Sequence, residues 1–200
     1  MSWFVPLFII HKFHNLHSDD ITRIQWSPDS RFLLTMGKDL NIKLVNLHKI
    51  DGYVPITLSA HRNTILHAFF SDSMKTIFSI SKDGMLLIWK WTEELVSEEY
   101  KRQLQFTQKK FGKRIKLDEP KKEEPIKDME YYSAFEKIVL KGRFVIEKKE
   151  RFELSGAKIK SVTHNTQANI MAIGMTNGVF AIYSIDPFKA LHSFKISETN

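Results

Sequence analysis

Histidine, lysine and arginine are the residues of this chain with the most chemistry to offer. Its 200 residues include eight histidines and thirty Lys plus Arg, and no cysteine. His11, His14 and His17 recur every third residue, a spacing that would gather metal ligands on a helix. On an extended strand successive side chains alternate faces, so these three do not converge on one ion. Without cysteine there is no thiolate metal site, no cysteine nucleophile and no disulfide framework. The chain also lacks a glycine-rich phosphate loop, a Gly-x-Ser-x-Gly elbow and a carboxylate pair of readable geometry. No catalytic residue, metal ligand, cofactor or small-molecule substrate is therefore expected, and the chain reads as non-enzymatic.

The cationic residues carry more. Lys101, Arg102, Lys109, Lys110, Lys113, Arg114 and Lys116 place seven positive charges in sixteen residues without one acid. Lys121 and Lys122 follow among Asp118, Glu119, Glu123 and Glu124, with Pro120 and Pro125 nearby. A segment so charged has too little apolar surface to build a core. Lys113-Arg114-Ile115-Lys116, with Pro120-Lys121-Lys122 behind it, has the form of a single-cluster nuclear import signal. The same charges suit RNA phosphates, which they would bind by counterion release without reading sequence. A solvated charged loop is the plainer reading, and the residues alone leave all three open. Thirty Lys plus Arg against 23 Asp plus Glu give a net charge of +7, which permits an anionic partner without requiring one.

What positions these residues is a repeat. His17 and His61, Ile21 and Ile65, Trp26 and Phe70, and Lys38-Asp39 and Lys82-Asp83 are each 44 residues apart. A third copy runs from Ile159-Lys160-Ser161-Val162 to Asn177-Gly178, offset by 94 from the second. The extra fifty or so residues are the charged insertion. Within each copy, runs such as Ile21–Trp26, Asn41–Asn46, Ile65–Phe70, Thr76–Ser81 and Val179–Ser184 have strand length and are bounded by turn residues, Ser27-Pro28-Asp29-Ser30 among them. Met85-Leu86-Leu87-Ile88-Trp89 is apolar on both faces, so such strands must be covered from both sides. Four-stranded sheets stacked as propeller blades meet that demand. The expected fold is thus an all-β propeller segment of three four-stranded blades with one long charged insertion. Its expected parts are a last strand of a preceding blade at 1–15, blades at 16–59, 60–155 and 156–200, and the insertion at about 93–142. Trp26, Phe70 and Trp89 fall at core positions, Trp3 and Trp91 could stand exposed, and His67 and His164 lie inside first strands. The apolar run Ser2–Ile10 is too short to cross a membrane and lacks a charged leader, so it reads as a strand. Three blades fall short of the four to eight of a closed ring. A segment of a longer propeller protein is expected, the alternative being an open array completed by a partner.

The second copy resembles the WD-repeat family in four residues. His61, Ser81, Asp83 and Trp89 stand at the spacing of its structural tetrad, a buried hydrogen-bonded chain that docks a turn on its strands. The first copy keeps His17 and Asp39, with Gly37 and Val45 at the other two places. The third keeps only Asn177 and Tyr183 in altered form, with Met175 at the place of the hydroxyl. Longer runs resemble one family in particular. Asp20-Ile21-Thr22, Trp26-Ser27-Pro28-Asp29-Ser30-Arg31-Phe32, Ala60-His61-Arg62, Ser81-Lys82-Asp83-Gly84, Ala157–Thr163 and Asp186-Pro187-Phe188 are similar, in order, to the periodic tryptophan protein 2 family. That resemblance implies a scaffold of two tandem propellers and a helical part, of which this chain would hold blades of the first. It implies partners among the WD-repeat and helical subunits of the small-subunit processome, with pre-ribosomal RNA and small nucleolar RNA, in the nucleus and nucleolus. The other reading is a generic WD-repeat adaptor, a ubiquitin-ligase substrate receptor or a chromatin-associated protein. No companion motif of that kind is present.

Overall fold

The computed structural model describes residues 9, 12–47, 54–93 and 142–195. The basic cluster from Lys101 to Lys122, Trp3, His11 and most of the expected N-terminal strand lie outside these residues. Among the described residues twelve strands form three four-stranded sheets, each with its strands hydrogen-bonded in chain order. The first holds β1 (Ile21–Trp26), β2 (Phe32–Gly37), β3 (Asn41–Asn46) and β4 (Ile56–Ser59). The second holds β5 (Ile65–Phe70), β6 (Thr76–Ser81), β7 (Met85–Glu93) and β8 (Gly142–Arg151). The third holds β9 (Ile159–Asn165), β10 (Ile170–Met175), β11 (Val179–Ser184) and β12 (Lys189–Lys195). No strand of the second sheet's outer edge stands out in the sequence as an apolar run: β8 is largely charged, and only its pairing after the insertion identifies it.

The repeat is visible in backbone detail. Ser27 closes the β1–β2 turn by accepting from the Phe32 N–H at 2.9 Å, and Ser71 does the same for Thr76 at 3.2 Å. Ser30 and Met74, again 44 apart, both take φ of 58° in these turns. β1 and β5 are bulged at the same place, between Ile21 and Arg23 and between Ile65 and His67. A bulge bends its strand and re-aims one side chain, and here it sets Arg23 and His67 at equivalent positions.

The chain divides into two compact units, Met1–Trp89 with Ile146–Asn200, and Lys90–Val145. In the first, the second and third sheets enclose one apolar layer. Phe69, Phe78, Ile80 and Leu86 from one side meet Val162, Met171, Ile173, Ala181 and Tyr183 from the other, with Phe152 and Ile159. Full burial of such side chains contributes about 1.5–3 kcal/mol each. Phe32, Leu34, Met36, Ile42 and Leu44 of the first sheet are likewise fully buried, and the Thr22 hydroxyl on β1 donates to the Ile65 carbonyl on β5 at 3.2 Å. In the second unit Trp91 packs edge-on against Phe144, with ring centroids 5.1 Å apart, and the Thr92 hydroxyl donates to the Arg143 carbonyl.

Two tryptophans correct the sequence expectation. Trp26, assigned to the core, is 54% exposed, and Trp91, taken as a candidate for exposure, is buried. Alternation along a strand identifies which face a residue is on, but not whether another sheet covers that face.

Gly84 tests the turn geometry. Its φ of +82° is left-handed, and an added Cβ would stand 2.6 Å from Leu154 Cδ1. Gly156, at +83°, has nothing within 4 Å of the same point. Gly156→Ala should therefore cost only the backbone strain, about 1–2 kcal/mol. Gly84→Ala should cost measurably more, because Leu154 must also move. Urea unfolding of the two variants checks this, and equal losses would contradict it.

Candidate functional site

The residues singled out by spacing surround a buried hydrogen-bonded chain, but its hydroxyl is not the one expected. In the second sheet the Trp89 indole N–H donates to Ser79 Oγ at 2.8 Å, and Ser79 Oγ lies 2.7 Å from His61 Nε2. Ser79, not Ser81, joins the histidine to the tryptophan. Ser81 donates instead to Asp83 at 2.5 Å. With Asp83 engaged there, the buried His61 Nδ1 has no hydrogen-bond partner among the described residues.

The first sheet shows the alternative. The Thr35 hydroxyl, 44 residues before Ser79, is 2.8 Å from His17 Nε2, and His17 Nδ1 is 3.0 Å from Asp39. A carboxylate only accepts, so Nδ1 carries the proton in this bond. The backbone N–H groups of Ser18 and Asn41 complete the Asp39 shell. Burial pushes the Asp39 carboxyl up, but these hydrogen bonds outweigh it and hold the group below the usual carboxylate range. Gly37 stands where Ser81 stands in the second sheet, and a Cβ there would come within 2.6 Å of His17 Nδ1 and closer still to Asp39. Glycine thus leaves room for the His–Asp bond that Ser81 diverts. The sequence does contain the signal: Thr35 and Ser79 are a hydroxyl pair at the repeat offset, whereas Gly37 and Ser81 are not.

Thr35, His17 and Asp39 have the connectivity of a nucleophile, base and orienting acid. The hydroxyl is buried and the His17 side chain is 1% exposed, so no substrate can reach it. The arrangement can hold a turn on a sheet; it cannot attack an ester or amide.

In the third sheet the chain is gone. Ser155, Asn177 and Tyr183 occupy the places of His61, Asp83 and Trp89, and Ile173 that of Ser79. Ser155, Asn177 and Tyr183 line a cavity of about 300 Å³ together with Glu153 and Met175. No bridge links Asn177 to Tyr183: Asn177 instead accepts from the Val179 N–H at 3.3 Å.

The other histidines meet between sheets. His67 Nε2 on β5 and His164 Nδ1 on β9 are 2.8 Å apart, and the His164 ring stacks on Phe69 with centroids 3.9 Å apart. Burial, with the Arg23 charge and His164 adding to it, pushes His67 down to about 3; burial and Arg23 lower His164 too. Burial pushes His61 down to about 4, against the opposing pull of Asp83. Among the described residues no three His, Asp or Glu side chains are grouped to hold a metal ion, and no helix is long and apolar enough to cross a membrane.

Stacked four-stranded sheets on a 44-residue period, docked through His–hydroxyl–Trp and His–Asp links, have the architecture of a WD-type propeller segment. The family model described as WD domain, G-beta repeat matches residues 9–46 and 52–90; the second match starts ahead of β4, so a sequence repeat takes in the outer strand of one sheet and the inner three of the next. Within this class the chain aligns along almost its full length with periodic tryptophan protein 2. It is 30% identical to that protein of Saccharomyces cerevisiae over 98% of the chain, and 29% identical, over the same share, to the Schizosaccharomyces pombe homolog. The Mus musculus homolog is 20% identical over 96%. The chain spans 18%, 19% and 21% of the lengths of these relatives.

The buried histidines set a pH response. Their folded pKa values lie below the unfolded 6.5, so the unfolded state binds protons first. Stability is complete above pH 6.5 and falls on acidification toward pH 4, by about 1.4 kcal/mol per pH unit for each histidine. Urea unfolding at pH 7, 6 and 5 checks this, and a flat profile would contradict it. In a parallel NMR titration Ser81→Gly should free Asp83 for His61 Nδ1 and raise the His61 midpoint. An unmoved midpoint would mean that Ser81 does not hold Asp83 away.

Proposed function

We propose that this chain is part of a non-catalytic WD-repeat scaffold in small ribosomal subunit biogenesis, acting in pre-rRNA processing and assembly of the small-subunit processome. The observation that carries the reading is the alignment over 96–98% of the chain with periodic tryptophan protein 2 proteins from fungi to mouse. A local WD motif would match only single repeats, whereas this similarity runs through all three sheets and the insertion. The burial of Thr35, His17 and Asp39 supports a structural role for that triad-like cluster. On this reading the partners are other WD-repeat and helical subunits of the particle, with pre-ribosomal and small nucleolar RNA held directly or through them. The setting is the nucleolus. The basic cluster Lys109, Lys110, Lys113, Arg114, Lys116, Lys121 and Lys122 serves nuclear import, RNA phosphate contact, or both.

The tagged natural protein should sediment with large pre-ribosomal particles, and its depletion should lower small-subunit ribosomal RNA while sparing the large-subunit RNA. An unchanged ratio of the two RNAs, with the protein in a ubiquitin-ligase or chromatin fraction, would replace this reading with the adaptor one.

A further inference from the structure

The third sheet has lost the buried polar chain and holds a cavity of about 300 Å³ in its place. At the offset of 94, Ser155 stands for His61, Ile173 for Ser79, Asn177 for Asp83 and Tyr183 for Trp89. In the second sheet the imidazole and the indole meet at the Ser79 hydroxyl, and both rings are buried. Serine has no ring and a phenol is smaller than an indole, so the exchange leaves room for a planar side chain.

The cavity lies on the face of the third sheet that packs on the second, since Ala181 and Tyr183 belong both to its lining and to the apolar layer between the sheets. Beside it runs the segment joining β8 to β9, and that segment is held in place. The Phe152 N–H donates to the Gly84 carbonyl at 2.9 Å, and the Ala157 N–H donates to the Leu154 carbonyl at 2.8 Å. The Phe152 ring packs edge-on against Tyr183. The cavity is therefore preformed.

Its wall has a definite chemistry. The Asn177 amide oxygen accepts from the Val179 N–H at 3.3 Å and keeps a second lone pair. Burial pushes the Tyr183 phenol up, a hydrogen bond from the Glu153 backbone opposes this, and the Glu153 carboxylate adds to the rise. The phenol is thus uncharged at neutral pH, and the carboxylate acts close to it. Among the described residues of the lining Glu153 is the only carboxylate, and no Lys or Arg stands with it. His192 also contributes to the lining, with its ring 6.1 Å from that of Phe194. Leu154, Met175 and Ala190 supply apolar wall.

We propose that this cavity receives an arginine side chain of a partner protein, its guanidinium on Glu153 and Asn177 and its carbon stem along Leu154 and Met175. A guanidinium is planar like the imidazole missing here, carries five N–H donors and no acceptor, and can pair with a carboxylate through two parallel hydrogen bonds. It is more weakly hydrated than an ammonium, so it loses less on entering a half-apolar pocket. An anionic group would be repelled by Glu153, and a purely apolar one would leave Asn177 and Tyr183 without partners.

The test is methyl NMR of Met175 in the purified natural protein, with the signal assigned by its loss in Met175→Leu. Methylguanidinium should shift it saturably, methylammonium more weakly, and acetate not at all. Arginine blocked at both ends should bind at least as tightly as methylguanidinium, because its stem adds apolar contact. Glu153→Gln, at an exposed position, should weaken both at least about tenfold. Ser155→His should abolish binding by returning an imidazole to the cavity, and histidine is among the residues that tolerate the φ of 46° found there. Should that variant unfold, Ala190→Leu, at an exposed position of β12, fills the same space. An unmoved Met175 signal, an equal response to acetate, or undiminished binding by Glu153→Gln or by the cavity-filling variant would each overturn the proposal. Entry of methylguanidinium with exclusion of blocked arginine would also overturn it, and would leave a site for a small free cation.

Discussion

Strands that are apolar on both faces constrain everything else in this molecule. β6 buries Ile77 and Ser79 on one side and Phe78 and Ile80 on the other, and β7 alternates Leu86 with Leu87 and Trp89. A sheet of such strands cannot leave a face in water without exposing several large side chains, at about 25 cal/mol for each Å² of apolar surface. Stacking is the remedy, and a sheet with two apolar faces needs two neighbours. The second sheet has both. Among the described residues the first and third have one each, and Trp26, Phe180 and Phe194 on them are partly in solvent.

Stacking is not directional enough to fix register, and the buried polar chain supplies that. Ser79 holds the indole of Trp89 and the ring of His61 at one point, where an unpaired polar atom would cost about 1–3 kcal/mol. The two intact sheets solve the same problem differently. With Gly37 the histidine reaches its acid; with Ser81 the acid is taken by the hydroxyl two residues before it and His61 keeps one buried nitrogen unpartnered. The third sheet has dispensed with the chain, relying on Tyr183 in the apolar layer with Phe152 and Phe188 around it. These links stabilise and orient; none is open to a substrate.

Period and turn chemistry made most of the fold legible. β1, β3, β5, β6 and β11 have the ends that their apolar runs and flanking turn residues indicate. Three things do not follow from alternation and turn residues, for physical reasons. Ser79 and Ser81, two residues apart on β6, share one strand face, so alternation does not choose between them. Counting back from Asp83 leaves both open, and only the comparison with Thr35 and Gly37 separates them. The exposure of Trp26 depends on a neighbouring sheet, which is a property of the assembly and not of β1. The His67–His164 contact was also out of reach, since residues 97 apart in sequence meet through sheet stacking alone.

If stacking governs the fold, the second and third sheets must gain and lose structure together. Native-state hydrogen exchange on Phe69→Ala measures this directly, because Phe69 lies in the layer between them and its truncation should cost about 3–5 kcal/mol. The account predicts that amides of β9, β10 and β11 lose protection by the same amount as those of β5 and β6, in one cooperative opening. Loss confined to β5 and β6, with the third sheet still fully protected, would show that each sheet is stable by itself and would contradict the account.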